Sequence, residues 1–367
     1  MKNLMKYVIV MLTALSFSAV NAGELSVTGA AKASYSVASS DGSTAVLQQG
    51  KGLGVSNEFT LSASGELDNG YTWSYAQDID NATVQDDGKL TLTMGGMGTV
   101  GVFISEGGLD TDNSASQSVL ARPSDTSFGE RMVDTWDLSG MNTLQYHMPA
   151  DLLPFGIVGK VAYAPSSSSA AAANNSSTAG GAANPGTFTA AGTSVGTAAA
   201  PLAQTAAMGK NATHYQVKAA PIDGLAIGAD YVDYSGVEGA TDQAPESGSW
   251  YLTYAVGPTT VGYSRSYLAT AIGDITSDRI ESIEAKKYSI AFNVNDDFSI
   301  SYEKEESEPN MMLSTGTGFR KMESTGIQAA YTMGGMTIAV AMNDHENSQY
   351  TLNKDIKDTV VQVSMAF

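Results

Sequence analysis

Segments of alternating apolar and polar residues recur along this chain of 367 residues, and short and long connections alternate between them. The short connections contain the Gly, Pro, Asn and Asp residues of tight hairpin turns. They lie at 67–70, 95–98, 149–154, 221–224, 257–258, 295–297 and 334–335. The long connections lie at roughly 39–52, 80–87, 106–141, 165–212, 236–247, 270–285, 307–322 and 344–357. Seven short and eight long connections join sixteen strands, so the pattern predicts an all-β fold.

Each segment gives its strand one apolar and one mixed face. From Ser26 to Val37 the odd-numbered residues are Val, Gly, Ala and Tyr, whereas the even-numbered ones include Thr, Lys and Ser. A soluble sandwich would show a similar alternation. The regular order of short and long connections, the Gly and Ala on the apolar face, and aromatic residues such as Phe155 and Tyr163 at segment ends favour a membrane barrel. Eight residues of about 3.3 Å each, tilted near 40°, span roughly the 20 Å that such a barrel needs.

The first residues have the parts of a secretory leader. Residues 1–22 carry Lys2 and Lys6, an apolar run and small residues at the end, which predicts a cleaved signal peptide and a mature chain of 23–367. The full chain has a net charge of −19, which argues against nucleic acid as a partner because phosphate contacts need clustered Lys and Arg. It has no cysteine for disulfides or thiolate-bound metals, and no later apolar run of about 18 residues for a membrane helix.

The last nine residues also read as a strand. In Thr359–Phe367 the odd-numbered residues form an apolar face and the even-numbered ones a small or polar face. A chain that ends inside a strand must pair that strand or leave an open edge. Pairing with residues 24–37, the first predicted strand, would close the sheet into a barrel.

These segments resemble a known family. The stretches at 59–73, 90–102 and 142–149, with the terminal Met-Ala-Phe, resemble the general diffusion porins of Gram-negative outer membranes. The resemblance covers the predicted mature chain. It implies a sixteen-stranded antiparallel transmembrane β-barrel with short periplasmic turns, long extracellular loops and a third loop folded into a water-filled lumen. It also implies a homotrimer among outer-membrane lipids, with Phe367 as a signal for the barrel-assembly machinery.

The third loop, at about 106–141, is acidic. The resemblance implies that its acids face the narrow part of the pore: Glu106, Asp110, Asp112, Asp125, Glu130 and Asp134. Only Arg122 and Arg131 have the opposite sign in this loop. Together these acids predict a negative field in the channel. The alternative for any one of them is that it only solvates an exposed loop.

The lumen wall is expected to include Lys32, Glu58, His147, Lys160 and Lys218. By resemblance, Glu58 and His147 occupy positions where many porins carry arginine. The basic half of the constriction is therefore largely missing, which favours cations or neutral solutes. The alternative is that each residue is a solvated wall position without influence on selectivity.

One long connection differs from the rest in composition. Residues 165–209 are mainly Ala, Ser, Gly, Thr and Asn without a charged side chain. Such a tract cannot build its own core, so the loop at about 165–210 is expected to be an exposed outer loop.

Catalytic motifs are absent from the sequence. His147, His214 and His345 are far apart, and no H-E-x-x-H, G-x-S-x-G or G-x-x-x-x-G-K pattern occurs, so no metal or cofactor is expected. A Ser-His-acid site assembled across strands stays open, since its partners need not be near in sequence. The expected function is passive diffusion of small hydrophilic solutes. The alternatives are a nutrient-selective porin, a barrel enzyme such as a lipase or protease, and a structural or adhesive barrel.

Overall fold

The chain forms one closed antiparallel barrel of sixteen strands. The computed structural model describes residues 25–41, 50–80, 87–105, 108–125, 132–135, 138, 141–165, 187–189, 203–205, 211–235, 242–272, 280–311, 320–350 and 352–366. The predicted leader at 1–22 lies outside the described residues, as does most of the low-complexity tract at 165–210. Within that tract, residues 187–189 and 203–205 pair as a small two-stranded sheet apart from the barrel.

The first seven barrel strands are β1 Ser26–Asp41, β2 Gly50–Glu66, β3 Thr72–Asp80, β4 Gly88–Thr93, β5 Thr99–Ile104, β6 Thr143–His147 and β7 Val158–Ala164. The other nine are β8 Asn211–Ile222, β9 Leu225–Ser235, β10 Glu246–Val256, β11 Thr259–Ala269, β12 Ile280–Asn293, β13 Phe298–Met311, β14 Met322–Met333, β15 Met336–Glu346 and β16 Asp355–Ala366. Each strand pairs with its neighbours in chain order, and β1 pairs with β16.

The seam between β1 and β16 confirms the predicted closure. Ala33 pairs with Val363 and Tyr35 with Val361, so the apolar faces of the two strands coincide. Because the number of strands is even, β16 runs antiparallel to β1, and their pairing leaves no edge of the barrel sheet open. Phe367, the last residue, lies outside the described part of the chain.

The two ends of the barrel differ in their connections, as predicted. At the end with short turns, β10 and β11 are joined by two residues and β14 and β15 by two more. Gly257 and Gly334 take φ values of 56° and 61° in these turns, a conformation that glycine adopts without a steric penalty. The eight connections at the other end include 105–142, the third loop.

Several strands extend further than the sequence predicts. The predicted connection at 270–285 overlaps the start of β12, and that at 307–322 overlaps the end of β13. In these extensions charged residues such as Glu284 and Glu306 stand on the outward face, so the apolar alternation stops while backbone pairing continues. The predicted boundaries were therefore wrong by several residues, although the order of the strands was right.

The outward face of the barrel is apolar. Exposed Val361 and Met365 on β16 continue the row of Tyr, Val, Ile and Trp side chains that the other strands expose. Tyr263 lies between Trp250 and Tyr288, with ring centroids 5.4 and 5.0 Å apart. Such an aromatic group is typical of side chains at a membrane interface. Among the described residues, no helix is long and apolar enough to cross a membrane.

The buried apolar residues lie inside the barrel, between the third loop and the wall. Leu109, Leu138 and Met141 of the loop pack against small wall residues that include Ala162 and Ala212. A second group joins Met132 of the loop to Met322 and Tyr350. The third loop is thus folded inward, as the resemblance implies, and it has its own apolar anchors.

Candidate functional site

The third loop lies along the inner wall and forms hydrogen bonds with seven successive strands, β8 to β14. The first of these hydrogen bonds is with β8, where the Leu109 N–H donates to His214 Nδ1 over 3.1 Å. On β9, both the N–H and the hydroxyl of Thr111 donate to Asp230 Oδ1 over 2.8 Å, and the same hydroxyl is 2.8 Å from Ser249 Oγ on β10. Each step along the loop therefore reaches the next strand of the wall.

The loop continues in this manner over β11 to β14. Ser264 Oγ donates to the carbonyl of Asp112, and Ser289 Oγ donates to that of Ala115. Further along, the Leu120 N–H donates to Gln328 Oε1 over 2.9 Å on β14. A single hydrogen bond of this kind contributes about 1 kcal/mol, so the series as a whole holds the backbone of the loop in place.

Two glycines leave room for the loop on the wall. A Cβ atom at Gly262 of β11 would collide with the carbonyl oxygen of Ala115, and one at Gly326 of β14 would lie 2.8 Å from Pro123 Cγ. Because the loop backbone is the obstacle at Gly262, a larger residue there would have to displace the loop. The close approach of loop and wall thus depends on the absence of a side chain.

A buried ion cluster stands at the centre of this contact. Lys287 Nζ on β12 lies 2.6 Å from both Asp112 Oδ2 and Asp134 Oδ2 of the loop, and its side chain is 1% exposed. Arg122 of the loop lies 2.9 Å from Asp134 and 3.4 Å from Glu305 on β13. Three buried carboxyl groups, two from the loop and one from the wall, thus share one wall cation and one loop cation.

The two loop carboxyls respond differently to this environment. Burial raises the pKa of Asp112 well above its ordinary value of 3.8, and the charge of Asp134 raises it further. Burial also opposes the charge of Asp134, but Lys287 and Arg122 outweigh it and lower the pKa of Asp134. Asp134 is therefore the stronger acid of the two, and Asp112 is the carboxyl that accepts a proton first.

The six acids predicted to face the constriction take different positions. Asp112 and Asp134 belong to the buried cluster, and half-buried Asp110 is close enough to Asp112 to interact with it. Asp125 is exposed and lies 2.7 Å from Arg122. Glu106 and Glu130 lie outside the described residues. Four described acids of this loop thus face two cations, Arg122 and Lys287, so the negative charge of the loop is only partly compensated.

The wall of β1 to β8 carries the other predicted residues, with Lys218 on β8. Lys32 and Glu58 face inward, 4.0 Å apart, with side chains 43% and 49% exposed. His147 on β6 also faces inward, where its Nε2–H donates to Gln145 Oε1 over 2.8 Å and its ring lies 5.6 Å from that of Phe103. Strand pairing places Lys160 beside His147, and both stand on the inner face.

A chain of Ser, His and Asp crosses three strands of the inner wall. Ser324 Oγ on β14 is 2.9 Å from His345 Nδ1 on β15, and His345 Nε2 is 3.0 Å from Asp358 Oδ2 on β16. Asn343 Nδ2 donates to the other Asp358 oxygen over 2.7 Å. Ser324 is 0% and His345 1% exposed, so the serine hydroxyl is closed to a substrate. The arrangement connects strands in the described structure.

The wall residues that bind the third loop were not predicted from the sequence. Inward positions on consecutive strands carry small polar residues, among them Ser249, Ser264, Ser289 and Ser301. Their alignment across neighbouring strands was the available signal. Within the part of the chain that the structure describes, no group of three or more His, Cys, Asp and Glu residues is arranged to hold a metal ion.

Known structures share this fold. OmpF of Salmonella typhi in complex with daunomycin has a TM-score of 0.59 and 12% identity, covering 94% of this chain and 98% of its own. OmpT, an outer-membrane protein of Vibrio cholerae, has a TM-score of 0.61 and 10% identity, covering 96% and 99%. A variant of the Rh. blastica porin has a TM-score of 0.54 and 12% identity, covering 94% and 100%.

The comparisons of sequence give a different result. No protein-family model matches the chain, and no curated protein sequence is similar to it. At 10 to 12% identity, the structural likeness shows a shared architecture, the sixteen-stranded porin barrel.

Proposed function

We propose that this chain is an outer-membrane channel through which small hydrophilic solutes and ions diffuse passively. The observation that carries the proposal is the solvent access of inward-facing side chains on the wall opposite the third loop. Lys32 and Glu58 point into the barrel, yet more than 40% of each side chain is exposed. A barrel filled by its own side chains would bury these charges, so their exposure supports a water-filled lumen.

The outer surface supports a position in a membrane. Its strands expose apolar side chains such as Val361, Ile327 and Tyr302, whereas their neighbours in the sequence face inward. Closed pairing leaves no backbone group of a sheet edge unsatisfied in lipid. Together with the likeness to porin structures, this supports the outer membrane of a Gram-negative cell, with the short turns toward the periplasm.

The charge of the lumen supports a preference for cations. Inward-facing acids on the wall opposite the loop include Glu58, Asp78 and Asp80, which strand pairing places on the neighbouring strands β2 and β3. The third loop has four described acids, whereas its cationic partners are only Arg122 and Lys287. The cation preference therefore rests on this acidic patch of the wall together with the surplus of acids in the loop.

A homotrimer is part of the proposal. In the described residues, outward-facing ion pairs such as Arg265 with Glu284 and Lys357 with Asp344 lie on β11 to β16. The outward face of β1 consists instead of small and apolar residues, as at Gly29 and Ala31. A smooth apolar face of this kind fits contact with another copy of the chain, while the charged rim fits contact with lipid headgroups.

A barrel enzyme is the candidate from another class. The chain from Ser324 through His345 to Asp358 has the residue types of a hydrolase triad. Its burial argues against catalysis, because no substrate carbonyl can reach the serine hydroxyl. We propose that it stabilises the wall. In purified protein, replacing His147, His214 and His345 with alanine tests this, and the loss of a hydrolytic activity present in the unaltered protein would overturn the channel proposal.

Conductance measurements test the channel directly. Purified protein inserted into a planar lipid bilayer should produce stepwise ion currents in potassium chloride. A nutrient-selective porin would add tight, saturable block by one defined nutrient, and a structural or adhesive barrel would produce no current. The mass of unheated, detergent-extracted protein tests the trimer, which predicts three times the mass of the heated chain.

A further inference from the structure

The inner wall of β7 and β8 carries two lysines without an acidic partner. Lys160 and Lys218 repel each other electrostatically, and His147 stands beside Lys160 on β6. Among the described residues, no carboxylate lies within ion-pair distance of either lysine. By contrast, Lys287, Arg122, Lys304 and Lys321 have acidic partners. Two neighbouring lysines of the inner wall thus have no counter-charge among the described side chains.

The couple lies next to the anchor of the third loop. Gln216 of β8 donates to the carbonyl of Leu109, and strand pairing places Lys160 directly opposite Gln216. Lys218 follows two residues later on β8, nearer the short turn. Both ammonium groups are therefore on the wall just beyond the loop, where a solute moving through the lumen would pass them.

Lys218 is held in place by a contact across the sheet. Its Nζ lies 5.9 Å from the centre of the Tyr251 ring, a distance suited to a cation–π interaction. Gly228 stands between them in register, and a Cβ atom there would come within 2.5 Å of the Tyr251 ring and 3.0 Å of Lys218 Cγ. The missing side chain lets the ring and the lysine approach each other.

We propose that Lys160 and Lys218 form a weak binding site for small oxyanions, that is, solutes that carry a phosphate or carboxylate group. This inference rests on the proposed channel function and names a solute class for it. An anion between the two ammonium groups removes their mutual repulsion, which no side chain of the described wall does. The site gives anions a binding point in a lumen that otherwise favours cations.

Block of the ionic current by inorganic phosphate tests the site. In potassium chloride, phosphate should reduce the current of the unaltered protein in a saturable way. The double variant Lys160→Met and Lys218→Met should raise the half-blocking concentration about tenfold, which corresponds to about 1.4 kcal/mol. Gly228→Ala keeps both charges but disturbs the position of Lys218, and it should weaken the block to a smaller degree.

Two single variants serve as controls. Lys32→Met removes a lumen charge that lies near Glu58, and Lys357→Met removes one outside the barrel that pairs with Asp344. Both should keep the half-blocking concentration of the unaltered protein. Equal block in the double variant, or no phosphate block in a conducting protein, would overturn the inference.

A barrel without any conductance would refute the channel function instead. In that case, phosphorus NMR of phosphate with the detergent-solubilised protein still measures binding. Line broadening that the double variant loses would support the site. Equal broadening, or none, would overturn it.

Discussion

Lys287 on the barrel wall lies 2.6 Å from Asp134 of the third loop, and this contact is almost completely buried. The same ammonium group binds Asp112 and Asn113, each also over 2.6 Å. Lys287 thus contacts three side chains of the loop. The position of the loop in the lumen depends on this residue more than on any single hydrogen bond of the series around it.

Replacing Lys287 should therefore destabilise the barrel. Lys287→Met leaves Asp112 and Asp134 with less positive charge in a buried site, and breaking such a pair costs about 3 to 5 kcal/mol. Thermal unfolding followed by circular dichroism measures the effect. Lys304→Met is the matched control, because Lys304 pairs with Glu306 and Glu323 on the outer rim, where such pairs contribute about 1 kcal/mol or less. Equal melting temperatures for the two variants would contradict this role.

Asp112 and Asp134 should differ in their dependence on pH. The lowered pKa of Asp134 means that its charge stabilises the folded state above its ordinary value of 3.8, and this contribution disappears as the pH falls toward the lowered pKa. Asp134→Asn should thus be about 3 kcal/mol less stable than the unaltered protein at pH 7. The difference should shrink as the pH falls below 3.8.

The contribution of Asp112 to stability should depend on pH in the opposite direction. Its raised pKa means that the folded state favours the protonated form, so its contribution is present below pH 3.8 and is lost as the pH rises through the raised pKa. Asp112→Asn should consequently show no large loss of stability at neutral pH. Denaturant unfolding of both variants at several pH values checks this, and a larger loss for Asp112→Asn than for Asp134→Asn at pH 7 would contradict it.

Gly262 should control the course of the third loop. Gly262→Val places a side chain where Ala115 of the loop now lies, so the loop must move away from β11. Single-channel conductance should change as a result, because the loop occupies part of the lumen. Gly335→Ala, in a turn where a Cβ atom meets no neighbour within 4 Å, is the control and should conduct as the unaltered protein does. Identical conductance of both variants would mean that the loop does not shape the pore.

The strand order and the closure of the barrel could be predicted from the sequence because both follow from local signals. Alternation with a period of two fixes which face of Ser26–Val37 points out of the barrel, and turn residues such as Gly257 mark the hairpins. Strand ends could not be predicted in the same way. At Glu284 and Glu306 the pairing continues beyond the apolar band, where hydrophobicity no longer reports it.

The ion cluster could not be predicted from the sequence, because it joins residues far apart in the chain. Lys287 faces inward from β12, yet it lies beneath the loop with Asp112 and Asp134. Two of the acids that suggested a negative field are thus held by a wall lysine. The number of charged residues in the loop does not show which wall residue the loop covers.

The most direct test of the proposed channel is the reversal potential of the purified protein in a planar bilayer under a gradient of potassium chloride. We expect stepwise conductance and a reversal potential whose sign shows that potassium permeates better than chloride, because inward-facing Glu58, Asp78 and Asp80 form an acidic patch on β2 and β3 and the described acids of the third loop outnumber Arg122 and Lys287. A bilayer without conductance, or a reversal potential of the sign that shows chloride preference, would contradict it.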